Sequence, residues 1–436
     1  MSTADRHVGV ERARRRSVAV LEGGSVSANF SGIALWPRVV PQRAIAGRPA
    51  GPIGYVLDRL PQASQGFVRD EILELGRYGV RVHVFVLDPA GDSSADPWID
   101  GAAPSMSRIP ASAFLGEAGV ESTPARIVRA QAAWIARHVT ARGIDHLHAT
   151  QLATVDVVRE VKRITGVKYS FGVAGSEIYD DARDSRTLRP KVTEAEFVVV
   201  PSEVSRQQLL AVTGPGANGN IHRIYRGVDL GTFRYGADAF HDSSAVLAVC
   251  PLVEDSGVAD LIDAMAVLRE RRPEGLRATI VGDGELEQDL RARISALRLD
   301  DCVTMVKGNI ERSRLLALMR SHAVMALPYT VLPGGGRDGV PSVVLEAMAV
   351  GLPVVSTSVV GVSEVLEDGW TGRLVSPNDP KWLAGAVETL LDNVRLRVRM
   401  ATDARAQVES YFGLSRNVAR LARLFASAPA ERHIAT

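Results

Sequence analysis

The 436-residue chain carries 51 basic and 50 acidic residues, a balance that excludes a basic excess and argues against a nucleic-acid binder, which normally shows such an excess or a basic stripe. Its length exceeds one typical domain and predicts two, each large enough to bury its own core. Two cysteines, Cys250 and Cys302, form neither a disulfide framework nor a metal-ligand spacing, so they read as core residues of a protein in a reducing cytoplasm.

Residues 1–50 read as a flexible tail. Arg12, Arg14, Arg15 and Arg16 precede a stretch with no sustained period, and the apolar run Ser17 to Leu21 is too short for a signal-peptide core. The alternative for the Arg cluster is contact with anionic lipid, which would place the protein peripherally at the inner face of the cell membrane. From residue 51 onward, short apolar β-rich runs alternate with helical patterns, as in doubly wound α/β domains. The first half (51–226) offers strands at Gly54 to Leu57, Val82 to Leu87, His146 to His148, Tyr169 to Phe171 and Phe197 to Val200. A break near Arg226 to Phe240 leads to the second half (227–410), with strands at Val246 to Val249, Ala278 to Val281, Val303 to Val306, Val324 to Leu327 and Val354 to Thr357. Beyond Tyr411, Val418, Leu421, Ala422 and Phe425 recur at helical spacing, so 411–436 reads as a C-terminal helix and tail. His146 and His148, at a strand end, read as structural histidines.

Ser342 to Val362 is as long as a membrane span and carries one charge, Glu346. Gly351, Leu352 and Pro353 break it into a helix and then a strand buried on both faces. The stretch Arg337 to Gly351, R-D-G-V-P-S-V-V-L-E-A-M-A-V-G, sets Asp338 and Glu346 around the start of that helix, which Pro341 begins and Gly351 ends. A helix start offers unpaired N–H groups to a diphosphate, and a carboxylate one turn in can accept both hydroxyls of a ribose. The plainer alternative is a capping or salt-bridged Glu346 in an ordinary loop and helix. Gly282, Asp283 and Gly284 also close a strand and open a helix. A dinucleotide fingerprint is only weakly matched there, since its third glycine would fall on Glu287 and the motif lies in mid-domain, so a dinucleotide oxidoreductase is a distant alternative.

The run D-G-V-P-S-V-V-L-E-A-M-A-V-G-L-P-V-V-S-T, followed by G-V-S-E-V-L-E-D-G-W-T-G-R-L-V, resembles the donor-binding block of the retaining glycosyltransferases of family four, the group 1 set. The resemblance extends to A-T-I-V-G-D-G-E-L at Ala278 to Leu286, to I-Y-R-G-V-D-L-G-T-F at Ile224 to Phe233, and to Y-V-L-D-R-L-P-Q-A-S-Q-G-F-V-R-D-E-I near the front. Within the family it is most similar to enzymes of exopolysaccharide and colanic-acid assembly. It implies a GT-B fold: two Rossmann-like doubly wound domains facing across a cleft, the acceptor side at 51–226, the donor side at 227–410, and the last helix packing back on the first domain. The implied reaction is transfer of a hexose, with retention, from a nucleotide-sugar to a glycan or lipid-linked acceptor, with no metal or other cofactor and no nucleic-acid partner. The resemblance assigns Glu346 to the donor ribose and Asp338 to the neighbourhood of the sugar, as the catalytic pair. It gathers Gly282, Asp283, Gly284, Arg337, Gly339, Val340, Pro341 and Ser342 around the donor, and puts Glu177 on the acceptor side. Glu364 matches the family's glutamate in G-G-x-P-E, with a helix-start carboxylate as its alternative.

Three positions depart from the family. V-C-P-L-V-E-D-S-G, Val249 to Gly257, puts Pro251 and Ser256 where an Arg and a Lys hold the diphosphate, and S-F-G-V-A-G-S-E-I-Y puts Ala174 where the family has a histidine. One lost charge-stabilising donor typically lowers the rate about a hundredfold to a thousandfold. A second expectation therefore stands beside the first: a catalytically impaired relative that binds a nucleotide sugar or a partner. Arg337 and Arg226 are candidate replacement cations, each with a surface or hinge role as its alternative.

Overall fold

The computed structural model describes residues 51–60, 66–88, 104–111, 123–173, 177–178, 185–217, 219–236, 244–308, 310–330, 340–359 and 361–427. The tail expected at 1–50 lies outside them. The first domain is a seven-stranded parallel sheet: β1 (Ile53–Leu57), β2 (Val82–Val86), β3 (Ser105–Arg108), β4 (His146–Ala149), β5 (Lys168–Gly172), β6 (Val198–Val200) and β7 (Ile221–Arg223), in the order β3-β2-β1-β4-β5-β6-β7. Its helices are α1 (Gly66–Arg77), α2 (Pro124–Arg142), α3 (Val155–Thr165), α4 (Ser185–Glu194) and α5 (Glu203–Thr213). The second domain is a six-stranded parallel sheet: β8 (Ala245–Val249), β9 (Arg277–Val281), β10 (Val303–Val306), β11 (Val324–Leu327), β12 (Val354–Thr357) and β13 (Arg373–Val375), in the order β10-β9-β8-β11-β12-β13. Around it lie α6 (Val258–Arg271), α7 (Glu287–Ala296), α8 (Arg312–Ser321), α9 (Ser342–Val350), α10 (Pro380–Asp392) and α11 (Val394–Gln407), and α12 (Leu414–Ser427) ends the described chain.

Both sheets reverse their winding beside their first strand, between β1 and β4 and between β8 and β11. Open α/β sheets bind ligands outside the carboxyl ends of the strands at such a point. Burial explains which strands the apolar pattern reveals. Every residue of β11 and β12 is buried, as a central strand covered by helices on both faces requires. Three strands carry no such pattern and were not expected: β3, β7 and β13, whose sequences are S-M-S-R, I-H-R and R-L-V. All three are sheet edges, where short polar strands discourage further pairing and carry little hydrophobic signal.

Helix α12 leaves the second domain and lies on the first sheet. A parallel bridge pairs Val228 with Gly413, and the Tyr78 hydroxyl donates to the Ser415 carbonyl at 2.9 Å. Leu414, Val418, Leu421, Ala422 and Phe425 share a core with Tyr55, Ile72, Leu75, Val84 and Phe197. His146 and His148 are buried in this layer and both bond the Ser170 hydroxyl at 2.7 Å. Burial holds each imidazole far below its ordinary value, to about 3, so both are neutral packing residues against Phe197 and Phe425. Cys250 and Cys302 are buried free thiols. No helix among the described residues is long and apolar enough to cross a membrane.

Candidate functional site

Helix α9 follows β11 at the carboxyl edge of the second sheet. Pro341, with φ −62°, precedes its first residue, and Gly351, with φ 90°, ends it. A side chain at 351 would be strained in that left-handed backbone, and its Cβ would press on the Tyr235 ring at 2.7 Å. Val340 is buried, Ser342 is exposed, and no side chain caps the helix; the Val344 amide donates to the Pro341 carbonyl at 3.0 Å, which leaves the Ser342 and Val343 amides as the ones a helix start offers to a ligand. Glu346 lies one turn in and is partly buried. Burial pushes its carboxyl up to about 7, Asp70 adds to the rise, and Arg312 opposes it.

Arg312 begins α8 and reaches across the cleft. It donates to Asp70 Oδ2 on α1 at 2.8 Å, and its guanidinium lies 5.6 Å from the Phe233 ring. The cleft thus contains a line of charges, Asp70, Arg312 and Glu346, with α1 on one wall and α9 on the other. The next residue of α1, Glu71, accepts a hydrogen bond from the Tyr55 hydroxyl at 2.9 Å, and its burial pushes the carboxyl up to about 7. Arg226 stacks over Phe67 of α1 at 4.0 Å. Glu177 accepts from the Leu152 amide at 3.1 Å.

Gly282 and Gly284 lie against the chain that leaves β8. A Cβ at 282 would collide with the Cys250 carbonyl oxygen, and one at 284 with that of Leu252. Leu252 donates to Asp283 O at 2.8 Å, and Leu286 donates to Leu252 O at 3.1 Å. These glycines let two backbone segments pack directly, while Asp283 and Gly284 stay exposed. Pro251 is exposed at the end of β8, whereas Ser256 is fully buried in a short 3-10 turn. Arg337, Asp338, Gly339 and Ala174 lie outside the described residues.

Glu364 has a definite task. Its carboxylate accepts from the Glu203 and Val204 amides at 2.9 and 3.0 Å and from the Tyr225 hydroxyl at 3.3 Å. It therefore caps α5 of the first domain from the second, and the helix-start alternative describes it, with the helix belonging to the other domain. Asp70, Glu71 and Arg312 escaped the sequence reading. The only signal was the block Q-G-F-V-R-D-E-I, whose adjacent carboxylates Asp70 and Glu71 lie in the second turn of α1. Among the described residues no group of three or more His, Cys, Asp or Glu side chains gathers as a metal site.

Residues 237–407 match the family model for glycosyl transferases group 1. The amylovoran biosynthesis glycosyltransferase AmsK of Erwinia amylovora is 30% identical over 218 residues, 50% of this chain and 53% of that one. The colanic acid biosynthesis glycosyltransferase WcaL of Escherichia coli, a putative assignment, is 35% identical over 139 residues, 32% of this chain and 34% of that one. The chain thus spans about half the length of the curated relatives it matches, or less. Among solved structures, Anabaena HepE in complex with UDP and glucose aligns with a TM-score of 0.68 at 21% identity, over 86% of this chain and 99% of that one. A mutant of S. aureus TarM, in complex with fondaparinux, alpha-GlcNAc-glycerol and UDP, aligns with a TM-score of 0.69 at 11% identity, over 86% of this chain and 100% of that one. At these identities the likeness shows the fold, the GT-B arrangement of two parallel-sheet α/β domains.

Proposed function

We propose that this chain, which carries the glycosyl transferases group 1 module in its second domain, moves a hexose from a nucleotide-sugar to a glycan or lipid-linked acceptor in exopolysaccharide assembly, with retention and without a metal. One observation carries the reading: Glu346 lies one turn inside an uncapped helix at the β8/β11 reversal. The α9 amides would hold the diphosphate, Glu346 in its ionised form would accept the ribose hydroxyls, and Asp338 would lie near the sugar. UDP-sugars are the first donors to try, since HepE was solved with UDP. The domain with α1 and Glu177 takes the acceptor, and the work is cytoplasmic, with peripheral membrane contact where the acceptor is a lipid.

A second reading is a relative of impaired catalysis that binds nucleotide sugar or a partner. Pro251 and the fully buried Ser256 favour it, because neither supplies positive charge to a departing diphosphate. The test is to incubate the pure protein with a panel of nucleotide-sugars and a lipid-linked acceptor pool and to measure nucleotide diphosphate release. Acceptor-dependent release above about 1 per second, the low end of the usual enzyme range, supports the transferase. No release with any donor supports the second reading.

A further inference from the structure

Arg226 follows β7 at the carboxyl edge of the first sheet. Its guanidinium carbon lies over the Phe67 ring, 4.0 Å from the centroid, and it makes no hydrogen bond to any described residue. Stacking occupies a face of the guanidinium and leaves its five in-plane N–H donors available. Glu71 and Glu177 are within electrostatic reach, yet each carboxylate has a contact elsewhere, with the Tyr55 hydroxyl at 2.9 Å and the Leu152 amide at 3.1 Å. A half-buried cation whose donors are unused is costly unless something else fills them.

The position of the group adds a separate reason. Tyr55 belongs to β1 and Leu152 lies just past β4, so the cluster straddles the β1/β4 reversal, where open α/β sheets take ligands. Glu346 and the α9 amides belong to the other sheet, so the donor has its own binding groups. A planar guanidinium pairs with phosphate oxygens through two parallel bonds. Resting on the transferase reading above, we propose that Arg226, stacked on Phe67 and flanked by Glu71 and Glu177, is an oxyanion subsite of the first domain that takes the phosphate group of the acceptor. Glu71, which burial pushes up to about 7, takes a proton readily when the anion arrives and so limits repulsion. Phe67 sets the plane of the fork.

Isothermal titration of the full chain with glycerol 3-phosphate, glycerol and UDP tests this. Glycerol 3-phosphate should bind and glycerol should not. Arg226→Met should weaken glycerol 3-phosphate at least tenfold, Arg226→Lys less, and both should leave UDP within twofold. Glu71→Gln, which removes a competing carboxylate, should tighten glycerol 3-phosphate severalfold, a gain that a purely structural cluster does not predict. The subsite is overturned if the parent does not bind glycerol 3-phosphate, if a folded Arg226→Met protein binds it as the parent does, or if Glu71→Gln leaves it unchanged or weaker. Equal loss of UDP binding in Arg226→Met would assign the anion to the donor and overturn the acceptor role. Arg226-dependent binding of glycerol 3-phosphate in a protein that ignores UDP would keep the subsite and reject the transferase reading.

Discussion

Glu346→Gln separates what the glutamate does for nucleotide from what it does to the fold. Burial and the nearby Asp70 push the carboxyl from its ordinary 4.5 up to about 7. A folded value above the unfolded one means that the protonated form stabilises the protein: the contribution is complete below about pH 4.5 and is lost as pH rises through about 7. Above that, the ionised carboxylate costs the fold about 3 kcal/mol, with about 2 as the figure after allowance for solvent at its partly exposed edge. Glutamine cannot ionise. The variant should match the parent near pH 4.5 and exceed it by about 2 to 3 kcal/mol at pH 8, in urea unfolding followed by linear extrapolation across that range. Curves that stay parallel with pH, or a variant less stable than the parent at pH 8, would refute the assignment of a raised carboxyl at 346.

Three further changes probe the cleft and the domain contact. Glu364→Ala orphans the Glu203 and Val204 amides and the Tyr225 hydroxyl and should lower stability by about 2 to 4 kcal/mol by calorimetry; no change would remove Glu364 from the contact. Phe425→Ala takes away a ring packed on Tyr55, Phe197 and His148, and should destabilise the first domain by about 3 to 5 kcal/mol, visible as early loss of amide protection in β1 and β4. Asp70→Asn removes a charge that raises the Glu346 carboxyl and frees Arg312, which lowers it. The pH midpoint for UDP binding should therefore move below its parent value, and an upward or absent shift contradicts the charge line.

The central strands were legible because they are apolar on both faces: the expected Val324 to Leu327 and Val354 to Thr357 are the observed spans. The ends of α9 were legible too, since Pro341 and Gly351 act through local backbone chemistry alone. Edge strands such as β13 were hidden because their burial is partial and their sequences short. The charge line was hidden for a different reason. Arg312 and Asp70 are 242 positions apart, and Glu364 and Glu203 are 161 apart, so their meeting depends on how two domains approach rather than on any local period. Gly282 and Gly284 were visible as a loop that closes a strand and opens a helix, but the reason for glycine there, the close approach of the chain's own backbone at Cys250 and Leu252, was not.

The central claim is that the second domain holds a nucleoside diphosphate through Glu346 at the start of α9. Thermal unfolding of the parent and of Glu346→Ala, with and without UDP at pH 8, tests it most directly, because ligand at a hundredfold excess over its Kd adds about 2.7 kcal/mol to the folded state. UDP should raise the parent's Tm and leave that of a folded Glu346→Ala protein unmoved. An equal rise in both would show that the nucleotide is held elsewhere.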